Sequence, residues 1–157
     1  LSPVPPLALY VTFSTGIGTG FAGHGYAIPE IYSFEGGKML MQTESGLVPW
    51  ESIASGRAIH DKYGRFARDI TDETTWREIA ETMAYGLSSL IAMFEPDHLI
   101  VGGSIGTYFD RYNTFLQEDI NRLIPAYASK TAIIQAKHPE EAVIYGCYYA
   151  AIDQLDS

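Results

Sequence analysis

Hydroxyl-bearing residues and glycines are concentrated between Ser14 and Gly20, directly after the extended apolar run Leu7-Ala8-Leu9-Tyr10-Val11. A strand that ends in such a turn presents several backbone N–H groups with no side chain in front of them, as a bound phosphate requires. The hydroxyls of Ser14 and Thr15 add donors at the rim of the turn. These residues indicate a phosphate-binding turn, although glycines also occur at tight hairpins that hold no ligand.

A dinucleotide fingerprint overlaps this stretch, because residues 18–23, Gly-Thr-Gly-Phe-Ala-Gly, match the pattern G-x-G-x-x-G. In proteins that bind dinucleotides the pattern opens a helix whose N-terminus faces the pyrophosphate. Here residues 20–26 have the features of a short strand that returns along the first one, and Pro29 prevents an immediate helix. A Rossmann-type site is therefore not expected.

A serine nucleophile is another interpretation, because residues 102–106, Gly-Gly-Ser-Ile-Gly, match the pattern G-x-S-x-G. The segment follows an apolar strand and precedes a helix, as a hydrolase nucleophile elbow does, and Asp119 and His138 follow Ser104 in the order of a triad. That fold needs several strands before the elbow, whereas residues 12–40 indicate glycine-rich hairpins. Ser104 is better interpreted as a turn residue.

Composition excludes several classes of protein. The 157 residues can bury one core, so a single domain over residues 1–157 is expected. The formal net charge of −9 disfavours nucleic acid as a direct partner of this domain, and no apolar run reaches the roughly 18 residues of a membrane span. One Cys and four widely spaced His give neither a disulfide nor a typical zinc site, which fits a cytoplasmic location.

Periodicity of the apolar residues predicts an α/β fold. In chain order we expect a strand hairpin, a short strand at residues 39–41, a loop at 43–49, a helix at 50–59, a long helix at 75–94 capped by Thr75, a strand at 98–101, a helix at 108–123, a strand at 131–135 and a helix at 140–155. This order calls for a mixed sheet with an antiparallel hairpin start and a parallel finish, flanked by helices. Gly86 within the long helix indicates close backbone packing or a nearby ligand.

Four stretches together resemble the C-terminal lobe of the ROK family of sugar kinases and sugar-responsive repressors. Residues 14–20 resemble the family's second phosphate loop. Pro-Glu-Ile-Tyr-Ser at 29–33 stands where the family has Gly-Glu-Ile-Gly-His, and Glu-Ser-Ile-Ala-Ser-Gly at 51–56 where it has Glu-Ala-Tyr-Ala-Ser-Gly. Residues 95–105 resemble its Asp-Pro-Glu, apolar strand and Gly-Gly signature. The resemblance implies a ribonuclease H-like (actin-like ATPase) lobe of a two-lobed sugar kinase.

The resemblance also implies the residues of the site. The nucleotide-binding residues would be Ser14, Thr15, Gly16, Gly18, Gly102 and Gly103, with the adenosine also close to the helix near Gly86. Sugar hydroxyls would bind Glu30 and Glu51, since an ionised carboxylate accepts hydrogen bonds from two hydroxyls at once.

Two departures from the family's pattern change what is expected. The family's zinc site uses one His and three Cys, whereas Ser33 stands at the His position and residues 43–49 contain no Cys, so no zinc is expected. Residue 1 is Leu and the opening is rich in proline, so we expect a fragment of a longer protein. The family's first phosphate loop and catalytic Asp would precede it, and the fragment alone should not phosphorylate a sugar.

Two functions stay open on this resemblance. The first is the nucleotide- and sugar-binding lobe of an ATP-dependent hexose kinase that uses ATP with Mg in the intact parent. The second is the non-catalytic sugar-sensing effector domain of a ROK-type repressor, whose DNA-binding domain would lie outside this lobe. Members of the family commonly dimerise through this lobe, and eleven Tyr fit a subunit interface, so a homodimer is predicted.

Overall fold

A mixed sheet of five strands forms the centre of the described chain, which in this computed structural model comprises residues 3–28, 31 and 33–155. Strand β1 (Leu7–Phe13) pairs antiparallel with β2 (Ile17–Gly23) on one side and parallel with β6 (His98–Gly102) on the other. The sheet order is β3-β2-β1-β6-β7. The outer strands are β3 (Tyr26–Ala27), antiparallel to β2, and β7 (Ala132–Gln135), parallel to β6. The predicted antiparallel start and parallel finish are confirmed.

Alternation along β1 separates the two faces of the sheet. Leu9, Val11 and Phe13 are fully buried, whereas Tyr10 and Thr12 on the other face are only partly buried. Successive side chains of a strand point to opposite faces, so one face of β1 is committed to the core. The same core contains the apolar face of the long helix, which covers it.

The long helix, α3, runs over Glu73–Phe94 and begins two residues before the predicted start. Its N-cap is Asp72 rather than Thr75, because the Asp72 carboxylate accepts a hydrogen bond of 3.0 Å from the Thr75 backbone N–H. Arg65 fixes this cap, with 3.0 Å between its Nη1 and Asp72 Oδ2. The predicted cap is therefore wrong, because the helix begins earlier and the Asp72 carboxylate caps it, three residues before Thr75.

The remaining elements correct several predicted boundaries. They are β4 (Leu40–Thr43), β5 (Gly46–Pro49), α1 (Glu51–Ala54), α2 (Gly56–Tyr63), α4 (Gly103–Gly106), α5 (Asn113–Leu123), α6 (Pro125–Ala128), α7 (Ala142–Leu155) and 3-10 turns at Gly36–Lys38, Ala67–Asp69 and Phe109–Arg111. Of the described helices, not one has both the length and the hydrophobicity to cross a membrane.

Two of these corrections lie next to each other in the chain. The predicted loop at residues 43–49 is wrong because β4 and β5 pair there as a hairpin, closed by a 2.8 Å hydrogen bond from Thr43 Oγ1 to the Gly46 carbonyl. The predicted helix at residues 50–59 breaks at Ser55, whose backbone is extended and whose hydroxyl accepts from the Ala58 N–H. Serine competes for local backbone donors and therefore favours a new N-cap over helix continuation.

Trp50 joins this hairpin to the core. Its side chain is fully buried, its indole N–H donates a 2.9 Å hydrogen bond to the Thr82 carbonyl, and its ring meets Phe13 edge-on with centroids 5.4 Å apart. The ring lies directly over the backbone of Gly86, where a Cβ atom would overlap with it. Of the two explanations that the sequence left open for Gly86, close packing is the one found, and the indole occupies the space that a ligand would need.

Replacing Gly86 by Ala should destabilise the protein by roughly 1–3 kcal/mol, because the added methyl must displace the buried indole. The same exchange at Gly146 in α7 should stabilise it by up to about 1 kcal/mol through helix propensity, since no described atom lies within 4 Å of the added methyl. Urea unfolding of the two variants measures both effects. If both substitutions changed the free energy of unfolding in the same direction, the packing role of Gly86 would be contradicted.

Candidate functional site

A cleft of about 410 Å³ opens where the turn between β1 and β2 meets the starts of α2 and α4. Ser14 and Thr15 line it from the turn, Arg57 lines it from α2, and Ser104 and Ile105 line it from α4. Three separate parts of the chain therefore meet at the predicted phosphate-binding turn.

One backbone hydrogen bond closes the turn, and a second one joins it to α2. The Ser14 N–H donates to the Gly16 carbonyl at 2.9 Å, and the Gly56 N–H donates to the Ser14 carbonyl at 2.6 Å. A side chain at Gly56 would place its Cβ atom 2.8 Å from the Ser14 oxygen, so only glycine permits this approach. The backbones of the turn and of the start of α2 are therefore in direct contact.

Cationic and aromatic side chains complete the lining of the cleft. His60 and Arg68 flank the ring of Phe66, with 4.5 Å between the His60 and Phe66 ring centroids and 4.8 Å from the guanidinium to the Phe66 centroid. Tyr108 contributes a second ring and Glu140 a carboxylate. Guanidinium groups and hydroxyls suit phosphate oxygens, and aromatic rings suit a planar base.

A second cavity of about 440 Å³ lies next to the cleft. Gly16, Glu51 and Asp61 are among its lining residues, and Thr15 and Arg57 line both cavities. Thr15 and Arg57 therefore form a boundary between a cleft suited to a nucleotide and a cavity that contains a predicted sugar-binding carboxylate.

Glu51 is held at the edge of the second cavity in its ionised form. Its carboxylate accepts a hydrogen bond from the Lys38 ammonium group, which together with the Ile17 backbone N–H lowers the pKa of Glu51. The side chain is 25% exposed, so it is held by its partners but still reaches solvent. A Cβ atom at Gly16 would lie 3.0 Å from Glu51 Oε2, so the bare backbone there leaves room for the carboxylate.

The 3-10 turn that carries Lys38 is anchored on β2. Thr19 Oγ1 donates to the Phe34 carbonyl at 2.8 Å and accepts from the Gly36 N–H at 3.2 Å. The backbone N–H of Trp50 also donates to the Met39 carbonyl at 2.7 Å. Backbone hydrogen bonds and the buried indole thus position Lys38 and Glu51 relative to each other.

Four of the predicted site residues line the two cavities, namely Ser14, Thr15, Gly16 and Glu51. Glu30 lies outside the described residues. The roles of all these residues in binding stay predictions.

The three other predicted glycines lie behind the lining. Gly18 faces the Thr12 side chain, where a Cβ atom would lie 3.0 Å from Thr12 Cγ2. Gly102 and Gly103 are buried against β1: a Cβ atom at Gly102 would overlap with the Tyr10 hydroxyl, and one at Gly103 with the Phe13 carbonyl. These two glycines let the start of α4 approach β1, so that Ser104 and Ile105 reach the cleft.

Several lining residues were not predicted from the sequence. They are Arg57, His60, Phe66, Arg68, Tyr108 and Glu140. Arg57 and His60 are three residues apart directly after the Ser-Gly pair of the predicted sugar motif, so helical spacing could have placed both on one face. Nothing in the irregular segment that contains Phe66 and Arg68 signals a binding role.

The hydrolase interpretation is wrong. Asp119 accepts from Arg122 at 2.8 Å, His138 packs against the ring of Tyr145, and within the described residues neither hydrogen-bonds to Ser104. The left-handed backbone is at Gly103, with φ of +82°, and not at Ser104 as a nucleophile elbow requires. The G-x-G-x-x-G match lies inside β2, so it does not open a helix. Among the residues described, no three His, Cys, Asp or Glu side chains are grouped to hold a metal ion.

Replacing Lys38 by Met should raise the pKa of Glu51 toward the ordinary value for glutamate, because the strongest stabiliser of its ionised form is removed. Titration of the side-chain carboxyl by NMR measures the change. Lys62→Met is the matched control, because Lys62 pairs with Glu78 at 3.0 Å and not with Glu51. An unchanged Glu51 pKa in the Lys38→Met variant would contradict the ion pair.

Comparison with solved structures places the fold. A ROK family protein from Streptococcus pneumoniae TIGR4 in complex with sucrose superposes with a TM-score of 0.77 at 21% identity, covering 99% of this chain and 61% of that one. A ROK family glucokinase from Streptomyces griseus in complex with glucose and AMPPNP superposes with a TM-score of 0.65 at 17% identity, covering 86% of this chain and 56% of that one. A ROK family transcriptional regulator, a homologue of the E. coli MLC protein, superposes with a TM-score of 0.65 at 17% identity, covering 83% of this chain and 41% of that one. The predicted ribonuclease H-like, actin-like fold class is confirmed.

Sequence comparison identifies the family. A fructokinase from Pediococcus pentosaceus is 26% identical over 111 residues, and a Bacillus subtilis (strain 168) protein named provisionally as a fructokinase is 29% identical over 108 residues. These alignments cover 64% and 62% of this chain but only 38% and 36% of the two relatives. The family model described as "ROK family" matches residues 6–154, so this chain belongs to the ROK family.

Proposed function

We propose that this chain is the nucleotide- and sugar-binding lobe of an ATP-dependent hexose kinase. The observation that carries the proposal is the boundary formed by Thr15 and Arg57 between two cavities of different chemistry. Phosphoryl transfer requires the terminal phosphate of the donor and the hydroxyl of the acceptor to meet in a fixed geometry. Adjacent cavities that share a wall supply that arrangement.

The nucleotide would occupy the first cleft. Its phosphates would bind the hydroxyls of Ser14 and Thr15, with cationic side chains close by, and would extend towards the backbone of Gly16 in the adjoining second cavity. Its base would lie near Phe66 and Tyr108. Mg²⁺ commonly binds through substrate phosphates with few protein carboxylates, and it would neutralise phosphate charge here. Its use by this protein is part of the proposal.

Gly102 and Gly103 were predicted to contact the nucleotide directly. We assign Gly102 and Gly103 an indirect role, because they are buried under the wall that Ser104 and Ile105 present to the cleft. Gly18 would act in the same way by permitting the close packing of β2 on Thr12.

The sugar would bind in the second cavity through Glu51. An ionised carboxylate accepts from neutral hydroxyls, and the Lys38 ammonium group stabilises the ionised form of Glu51 and lowers its pKa. The sequence resemblance supplies Glu30 as a second acceptor. Because both curated relatives carry fructokinase names, fructose is the first hexose to test.

Catalysis would require a second lobe. Phosphoryl transfer needs a base on the acceptor hydroxyl and contacts to the phosphates from the other side, which the family resemblance assigns to the N-terminal lobe. This chain matches little more than a third of the length of its curated relatives. A homodimer is part of the proposal, supported by the exposed apolar side chains of Val143, Ile144 and Tyr145 on α7. A cytoplasmic location stays a prediction.

Isothermal titration of this chain with fructose, glucose and mannose, with and without the ATP analogue AMPPNP and Mg²⁺, tests the proposal. Glu51→Gln should weaken sugar binding by about tenfold or more, because a charge-assisted hydrogen bond is lost, and should leave nucleotide binding unchanged. Glu44→Gln, in the exposed turn between β4 and β5, is the control. Equal sugar affinities for the Glu51→Gln variant and the unaltered chain would remove the sugar assignment.

A sugar-sensing effector domain is the alternative, because a ROK transcriptional regulator has the same fold. The same titration separates the two functions. A chain that binds a hexose but no nucleotide would favour the sensor, whereas binding of AMPPNP would favour the kinase lobe.

A further inference from the structure

Arg57 differs from most of the other cations in its electrostatic surroundings. Lys38, Arg65 and Arg68 each pair with a carboxylate, whereas among residues 3–28, 31 and 33–155 no carboxylate lies within salt-bridge distance of Arg57. Glu51, whose pKa Arg57 helps to lower through space, is already hydrogen-bonded to Lys38. The positive charge of Arg57 is therefore not cancelled by a direct partner in the described part of a protein whose net charge is −9.

The position of Arg57 is fixed by its neighbour in the chain. Gly56 donates its N–H to the Ser14 carbonyl at 2.6 Å, so the start of α2 is attached to the phosphate-binding turn. Ser55 caps the same helix through the Ala58 N–H. The backbone of Arg57 is thus held beside Thr15, and its side chain is exposed at the boundary between the cavities.

Arg68, the other guanidinium of the cleft, has a different place. It lies over the ring of Phe66 and pairs with Asp69 at 3.7 Å, and it lines the first cleft without reaching the second cavity. Arg68 therefore belongs to the part of the cleft that suits the base, and Arg57 to the part nearest the sugar.

We propose that Arg57 binds the terminal phosphoryl group of a nucleoside triphosphate, so that this lobe distinguishes the triphosphate from the diphosphate. This inference rests on the proposed function, because it concerns the nucleotide of the same cleft. A guanidinium group presents a planar fork of donors that matches two oxygens of one phosphate, and it does so best where no carboxylate competes for it. In a nucleotide bound at Ser14 and Thr15, the phosphate nearest the sugar cavity is the last of the chain.

The test is calorimetric titration of the unaltered chain and its variants with ATP and with ADP in the presence of Mg²⁺. Arg57→Ala should weaken ATP binding by about tenfold or more and ADP binding by less than about threefold, so that the preference for ATP is lost. Arg57→Lys keeps the charge but not the fork and should lose an intermediate part of the preference. Circular dichroism of the variants should be unchanged, because the side chain is exposed.

Lys137→Ala is the matched control. Lys137 is also exposed, pairs with no carboxylate in the described residues, and lines a cavity with Tyr10 and Ile100 on the face of the sheet away from the core. Its removal changes the net charge as Arg57→Ala does, and it should leave the ratio of ATP to ADP affinities unchanged.

The outcomes separate this inference from the proposed function. If the unaltered chain binds neither nucleotide, the nucleotide site fails and the role of Arg57 fails with it. If the chain binds ATP, but Arg57→Ala weakens ATP and ADP equally or weakens neither, only the inference about Arg57 is overturned.

Discussion

The indole of Trp50, buried against the bare backbone of Gly86, is the contact on which the arrangement of the site depends. It fixes the end of the β4–β5 hairpin on the long helix and meets Phe13 at the end of β1. Glu51 follows Trp50 in the chain, so the same contact also fixes the position of the Glu51 backbone. A large aromatic side chain with a satisfied N–H can do this because it supplies buried area and direction together.

Close backbone approach is the second constraint, and it is concentrated where the cleft forms. Gly56 meets the Ser14 carbonyl, and Gly103 meets the carbonyl of Phe13 one residue earlier in the chain. Each contact brings the start of a helix against the end of β1. The polar groups of the turn lie between these two helix starts and line the cleft. Because side chains cannot fit in these contacts, glycine at both positions follows from assembly of the walls and needs no direct contact with a ligand.

The sequence was informative where a pattern is local or repeats. The apolar run before the glycine turn predicted the first strand, and helical spacing of apolar residues predicted the long helix, since both patterns follow from burial in the core. The break at Ser55 and the cap at Asp72 were missed because Ser, Thr and Asp near a helix start can each cap it, and the spacing of apolar residues does not show which one does. Ser14 and Thr15 were found by their turn chemistry, whereas Phe66 and Arg68 reach the cleft only through tertiary packing that no local pattern encodes.

The shared wall between the two cavities has a thermodynamic consequence. A ligand that orders Thr15 or Arg57 would alter a surface that a ligand in the neighbouring cavity also touches, and the two binding free energies would then be coupled. Such coupling is reciprocal: if one ligand changes the affinity for the second by some factor, the second changes the affinity for the first by the same factor. In this lobe such coupling would act through the two shared side chains, Thr15 and Arg57, without a long-range conformational change.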